Sequence, residues 1–216
     1  MKNEDRFIYR LTYTKEDNVK YISHLDFLRC VNRCFKRAKI DVKYSQGFNP
    51  HILLNIALPC AVGVKSKCEM LDIELNSKID ENTLIDKLNS SMVVGVKFIK
   101  CERNLDLKEF SKINTALYEI TFTSSEILDI SAFTPDNEIM IEKKSKRANN
   151  YVNIWDFVKR FELSYIGDNT YKIDCILNAG SVSNLKPELL LNAMKIHYGA
   201  DFSDIKTTRR EIYFED

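Results

Sequence analysis

The chain has 216 residues, with 32 Lys and Arg against 31 Asp and Glu, for a net charge of +1. At 44% hydrophobic and 29% charged residues it has the composition of an ordinary globular protein, which excludes disorder along its whole length. The near-neutral balance excludes a highly basic nucleic-acid coat protein but leaves room for a local basic patch.

The first residues, Met1 to Arg6, are charged and lack the apolar core of a secretory signal. No stretch approaches the roughly 20 apolar residues of a membrane span, so a cytoplasmic protein with no membrane partner is expected. Phe7 to Thr14, rich in aromatic and β-branched residues, predicts a strand. Ser23 predicts a helix N-cap, with Asp26 as the short form of a capping box. From His24 to about Ala38 the period is helical, with Leu28, Val31, Phe35 and Ala38 on one face and Arg29, Arg33, Lys36 and Arg37 on the other. Tyr44 to His51 is rich in turn formers. Gly47 supplies backbone freedom there, and Pro50 holds Asn49 extended.

Two strands are predicted next, His51 to Leu58 and Cys68 to Leu75. In the second, Met70, Asp72 and Glu74 alternate with Leu71, Ile73 and Leu75. Asp80 caps a helix carrying Leu84, Ile85 and Leu88, and Val93 to Cys101 predicts a further strand. The order β-α-β-β-α-β is that of a ferredoxin-like unit.

The polar stretch 102–115 places a domain boundary, giving domains 1–103 and 104–216. In the second half, strands are predicted at Leu117 to Thr123 and Glu138 to Lys143, with a short helix between them at Ser125 to Phe133. A basic run, Lys143-Lys144-Ser145-Lys146-Arg147, follows. Asn153 to Arg160 fits a helical turn or an extended stretch. Phe161 to Tyr165 and Thr170 to Leu177 form a hairpin around Gly167-Asp168-Asn169. Pro187 opens a helix closed by Gly199, and Ile205 to Phe214 is the last strand. The expected fold class is α+β, as tandem ferredoxin-like units with antiparallel sheets, the second more divergent.

Six scattered cysteines form no C-x-x-C pair and read as small reduced hydrophobes. Cys30 and Cys34 stand one helical turn apart, but two ligands do not complete a zinc site. No Walker A loop, GxGxxG, HExxH or GxSxG occurs. Neither cofactor nor metal is expected. His197 closes a predicted helix, where its charge suits the dipole. His24 and His51 adjoin motif-like segments and are the candidates for a general base. The plainer reading, a helix-start residue and a strand-edge residue, is preferred. Arg29, Arg33 and Arg37 recur every four residues as a row of guanidinium forks suited to phosphate. Tyr21, Tyr44 and Phe48 add aromatic planes, and cations with aromatic planes are what single-stranded RNA needs.

Several segments together are more specific. Tyr21-Ile22-Ser23-His24-Leu25-Asp26, Tyr44-Ser45-Gln46-Gly47-Phe48-Asn49-Pro50-His51, Ala57-Leu58-Pro59 with Val62-Gly63-Val64, and Leu71-Asp72-Ile73-Glu74-Leu75 follow one order and spacing. Asn184 to Glu188 and Thr208 to Glu211 continue it. In these the chain resembles the radical-SAM-linked domain of unknown function, found free-standing or fused behind radical SAM enzymes. The resemblance implies a radical SAM enzyme as partner. This chain lacks the C-x3-C-x2-C run that such an enzyme uses to hold its cluster, since Arg37 stands at the third position after Cys30 and Cys34.

The expected function is a non-catalytic RNA-binding or adaptor protein that presents an RNA substrate to a radical SAM enzyme. Arg29, Arg33 and Arg37 would contact phosphates. Ser45, Gln46, Gly47, Phe48 and Asn49 would meet a base or a partner loop. The alternatives are a metal-independent endoribonuclease using His24 or His51, and a protein-interaction module that binds no RNA.

Overall fold

Alternation decides the first strand, β1 (Phe7–Lys15), which puts Tyr9, Leu11, Tyr13 and Lys15 on its inner face. A computed structural model describes residues 6–103, 108–144 and 149–215, and shows a mixed α+β chain with antiparallel strand pairing. The chain divides into two units, Met1–Phe110 and Ser111–Asp216.

In the first unit β1 leads to α1 (His24–Arg37), β2 (Leu54–Ile56), β3 (Val64–Leu75), α2 (Glu81–Ser91) and β4 (Val96–Arg103). β1 pairs antiparallel with both β3 and β4, and β2 pairs antiparallel with the other edge of β3, for the order β4-β1-β3-β2. Each strand–helix–strand crossover is therefore split by a strand from elsewhere in the unit. The inner sheet face and both helices share one core, in which Tyr9, Leu11, Val31, Phe35, Leu71, Leu84 and Leu88 are wholly buried. Each large apolar side chain of this kind contributes roughly 1.5–3 kcal/mol. The buried stripe of α1 is Phe27, Val31, Cys34 and Phe35, with Leu28 and Ala38 half-buried. It is rotated slightly from the expected one because Phe27 stacks on Tyr13 at 5.2 Å. The strand expected over His51 to Leu58 shortens to β2, with Ile52 making only an isolated bridge to Tyr44.

The second unit runs β5 (Ile113–Ser124), β6 (Met140–Lys144), β7 (Asn149–Asn153), β8 (Val158–Gly167), β9 (Thr170–Asn178), α3 (Pro187–Tyr198) and β10 (Phe202–Phe214). Its sheet has the order β10-β5-β9-β8, and β6 and β7 form a separate hairpin. Asp168 and Asn169, at φ 50° and 52°, make the tight turn between β8 and β9. Pro187 opens α3, and Gly199, left-handed at φ 61°, ends it.

The helix expected at Ser125 to Phe133 does not form. Ser124 Oγ accepts the Glu126 N–H, and Asp129 accepts from the Ser131 N–H and hydroxyl. These local bonds compete with a helix ladder, while the Leu128 N–H is drawn to the Tyr171 hydroxyl at 2.8 Å. The ambiguous stretch from Asn153 resolves into a short 3-10 turn, Ile154–Phe157, followed by β8. Of the basic run, Ser145, Lys146 and Arg147 lie outside the described residues, as does part of the expected boundary, 104–107. No described helix is long and apolar enough to cross a membrane.

Candidate functional site

The turn-rich segment after α1 closes into a loop with a locked base. The Ser45 N–H donates to the His51 carbonyl at 2.8 Å, and the His51 N–H donates back to Ser45 Oγ at 3.1 Å. Ser45 Oγ also lies 2.8 Å from His51 Nδ1. Below this pair, Tyr44 bridges to Ile52, and the Lys43 N–H donates to the Glu74 carbonyl on β3. Gly47 has φ +122°, a conformation that only glycine adopts readily, and no atom lies near the position a Cβ would take. Gln46, Gly47, Phe48 and Asn49 are exposed, and the Phe48 ring is fully so.

A charged anchor holds the loop to the sheet. Lys43 Nζ reaches Glu74 at 2.6 Å, and Arg6 forks onto the same carboxylate at 2.7 and 3.1 Å. The Arg6 hydrogen bonds, aided by Lys43, outweigh burial and hold the Glu74 carboxyl down to about 2. Beside it on the same sheet face, Arg10 forks onto Asp72 at 2.7 and 2.8 Å and lies over the Phe110 ring.

Two of the three arginines on α1 already have partners. Arg29 donates to Asp26 at 2.7 Å, and Asp26 takes the Ser23 hydroxyl at 2.8 Å. Ser23 and then Arg29 thus lower the Asp26 carboxyl below its ordinary value. Arg37 donates through Nε and Nη2 to the Ser91 carbonyl, which closes the C-terminus of α2, where cations are favoured. Arg33 is exposed, with no partner among the described residues. The row is a helix-start ion pair, an open cation and a helix cap, not three equivalent phosphate forks.

His24 sits elsewhere. It borders a cavity of about 10 Å³ together with Tyr13, Lys15, Phe27, Cys60 and Glu69, room for a single water. Lys15 and Glu69 are almost wholly buried there, and Lys15 Nζ donates to the Ile22 carbonyl at 3.2 Å. Two strand periods signal both residues: 9, 11, 13 and 15 on β1, and 69, 71, 73 and 75 on β3, are the inward positions. The strand register also separates the histidines. Tyr13, at the cavity, pairs with Glu69, while Ile8 pairs with Glu74, which anchors the His51 loop. The five residues between put the two places roughly 17 Å apart. No single site uses both His24 and His51.

The thiols are protonated. Burial pushes Cys34 up to about 11 and Cys101 and Cys175 up to about 12. Cys34 donates to the Leu88 carbonyl inside the core, while Cys30 is only half-buried. Among the described residues, no group of three or more His, Cys, Asp or Glu could hold a metal ion.

The chain belongs to a bacterial family described as "Uncharacterized protein conserved in bacteria (DUF2344)", whose family model matches residues 8–187. That span takes in all of β1 to β9 and the opening of α3. No curated protein matches the chain.

Proposed function

We propose that this chain is a non-catalytic binding protein, an RNA-binding or adaptor module that presents its ligand to a radical SAM enzyme. We read its two units as tandem ferredoxin-like units, the second with its first helix replaced. The observation that carries the functional reading is the 45–51 loop. An aromatic ring is fully exposed at Phe48, on a turn that glycine alone favours, above a base closed by Ser45 and His51. A rigid aromatic offered to solvent loses little freedom on binding and stacks on any base or fills a partner's pocket. Exposed Arg33, with Arg29 and Arg37 on the same helix, supplies positive charge for a phosphate backbone. The radical SAM partner follows from the resemblance of the segments around Ser23, Gly47 and Gly63.

The test is titration of labelled single-stranded RNA against salt. Replacing Arg29, Arg33 and Arg37 with Gln flattens the slope of log K against log salt by roughly 2 units, at about 0.7 per phosphate. Phe48→Ala leaves the slope in place and costs about 1–3 kcal/mol of binding. An unchanged slope in the folded triple variant removes the phosphate role. Absent RNA affinity with retained capture of a radical SAM enzyme leaves the adaptor role alone.

One contact favours a second reading. Ser45 Oγ against His51 Nδ1 gives an exposed imidazole a fixed orientation, as a histidine base in a metal-independent endoribonuclease would need. Cleavage of labelled RNA in EDTA, lost in His51→Ala, would establish that reading over the first.

A further inference from the structure

We propose that the groove between β6 and α3 takes an extended peptide, apolar and basic in character, as an added strand on β6. The groove has a volume of about 550 Å³, with Leu189, Ala193 and Ile196 of α3 along one side. The other side is five consecutive residues, 138 to 142. Side chains of a strand alternate between its two faces, so a wall made of consecutive residues is a strand edge.

The hydrogen bonding gives that edge its polarity. The Ile154 N–H donates to the Ile139 carbonyl at 2.9 Å, and the register continues as Ile141 opposite Val152 and Lys143 opposite Asn150. Antiparallel pairing alternates, so Ile141 and Lys143 turn their backbone groups toward β7, while Met140 and Glu142 turn theirs toward the groove. Among the described residues β6 pairs with β7 alone, and no backbone bond from elsewhere reaches Met140 or Glu142. A row of open N–H and C=O groups is satisfied by one kind of occupant, another extended backbone.

The side chains narrow its chemistry. Met140, Tyr151 and Ile196 are exposed apolar surface along the groove, with Ile196 83% exposed. The Asp, Glu, Lys and Arg residues lining it are Glu138 and Glu142 only. Two carboxylates without a cation draw a basic side chain and repel a nucleic-acid backbone. The site lies in the second unit and does not depend on the loop around Phe48.

A fluorescein-labelled peptide of alternating Val and Lys residues tests this on the full chain by anisotropy. The expected result is saturable binding that weakens about tenfold or more in Ile196→Glu, the scale of a lost anchor contact. Ile196 is exposed, so this variant keeps its fold, and a circular dichroism spectrum checks that it does. Glu142→Lys weakens the same peptide. N-methylation of one alternate set of peptide residues abolishes binding while the other set is tolerated, because a strand offers β6 only every second N–H. Phe48→Ala leaves this binding unchanged. The proposal is overturned by absence of saturation, by equal indifference to both N-methyl sets, or by an RNA oligonucleotide that shifts the amide resonances of residues 140–142 where the peptide does not.

Discussion

The two units lay their strands in the same order and cover them differently. In the first, β4-β1-β3-β2 carries two α-helices, and the core they close is built from Phe27, Val31, Phe35, Leu84 and Leu88. In the second, β10-β5-β9-β8 carries one helix, and the stretch that corresponds to α1 is turns, a hairpin and a 3-10 turn. What replaces the helix is aromatic bulk. Phe133 lies wholly buried among Trp155, Phe161 and Tyr198, with ring centroids 5.2, 5.4 and 6.3 Å away. A sheet face needs its apolar surface covered, and the cover need not be helical so long as its own polar groups are satisfied. Here they are satisfied by the Ser124, Asp129 and Tyr171 side chains.

The comparison is most exposed at Phe133. If aromatic packing stands in for the missing helix, Phe133→Ala costs about 3–5 kcal/mol, like any large aromatic removed from a core. Trp155, the one tryptophan in the sequence, lies against that ring and reports the loss through its fluorescence in denaturant. A shift of under about 1 kcal/mol, within the range of surface substitutions, would make the stretch an ornament on the sheet instead of its cover.

The next effect belongs to the first unit and to acid. Arg6 and Lys43 hold Glu74 at about 2 against an ordinary 4.5. A depressed folded-state value stabilises above the unfolded value, and the gain is lost as pH falls from about 4.5 through about 2. The contribution is about 1–3 kcal/mol, discounted because Arg6 is half exposed. Unfolding of the parent should therefore weaken across that window, and Glu74→Gln should flatten this part of the profile. Parallel profiles for the two proteins would show that the anchor beneath the loop carries no stability.

Smaller still is the backbone effect at the loop tip. Gly47→Ala places a Cβ at φ +122° with nothing near it to clash, so the cost is conformational alone, about 1 kcal/mol or more. Gly167 in the second unit, at φ +111° and equally open, provides the matched control. Equal losses at both identify the effect as local geometry. The smallest change in stability is expected for Phe48→Ala, within about 0.5 kcal/mol, because a fully exposed ring has no fold to support. A larger loss by thermal unfolding would mean that the ring is held by its own protein and is not offered to a ligand.

Local chemistry was legible from residues close in sequence. The Ser23 cap, the alternation through Asp72 and Glu74, the Asp168-Asn169 turn and the Pro187 and Gly199 helix ends each rest on groups within a few positions of one another. The same locality explains the failure at Ser125 to Phe133. The apolar residues there suit a helix, but the Leu128 N–H finds its acceptor 43 positions away on Tyr171. The β6–β7 hairpin was half seen, as a strand from Glu138 and an ambiguous stretch from Asn153, because Asn149–Asn153 has little of the usual strand composition.

For the candidate site, sequence determined that Ser45 to His51 is a turn needing glycine and that α1 presents arginines on its polar face. Only tertiary structure decided what those groups do. Arg37 meets the end of a helix 54 positions further along the chain, and Lys15 comes to line one cavity with Glu69. His24 and His51 are set at opposite ends of a strand pair. The reason is physical. Periodicity fixes which face of an element a side chain takes, but its partner on that face is chosen by strand register and helix docking, which join residues far apart in sequence.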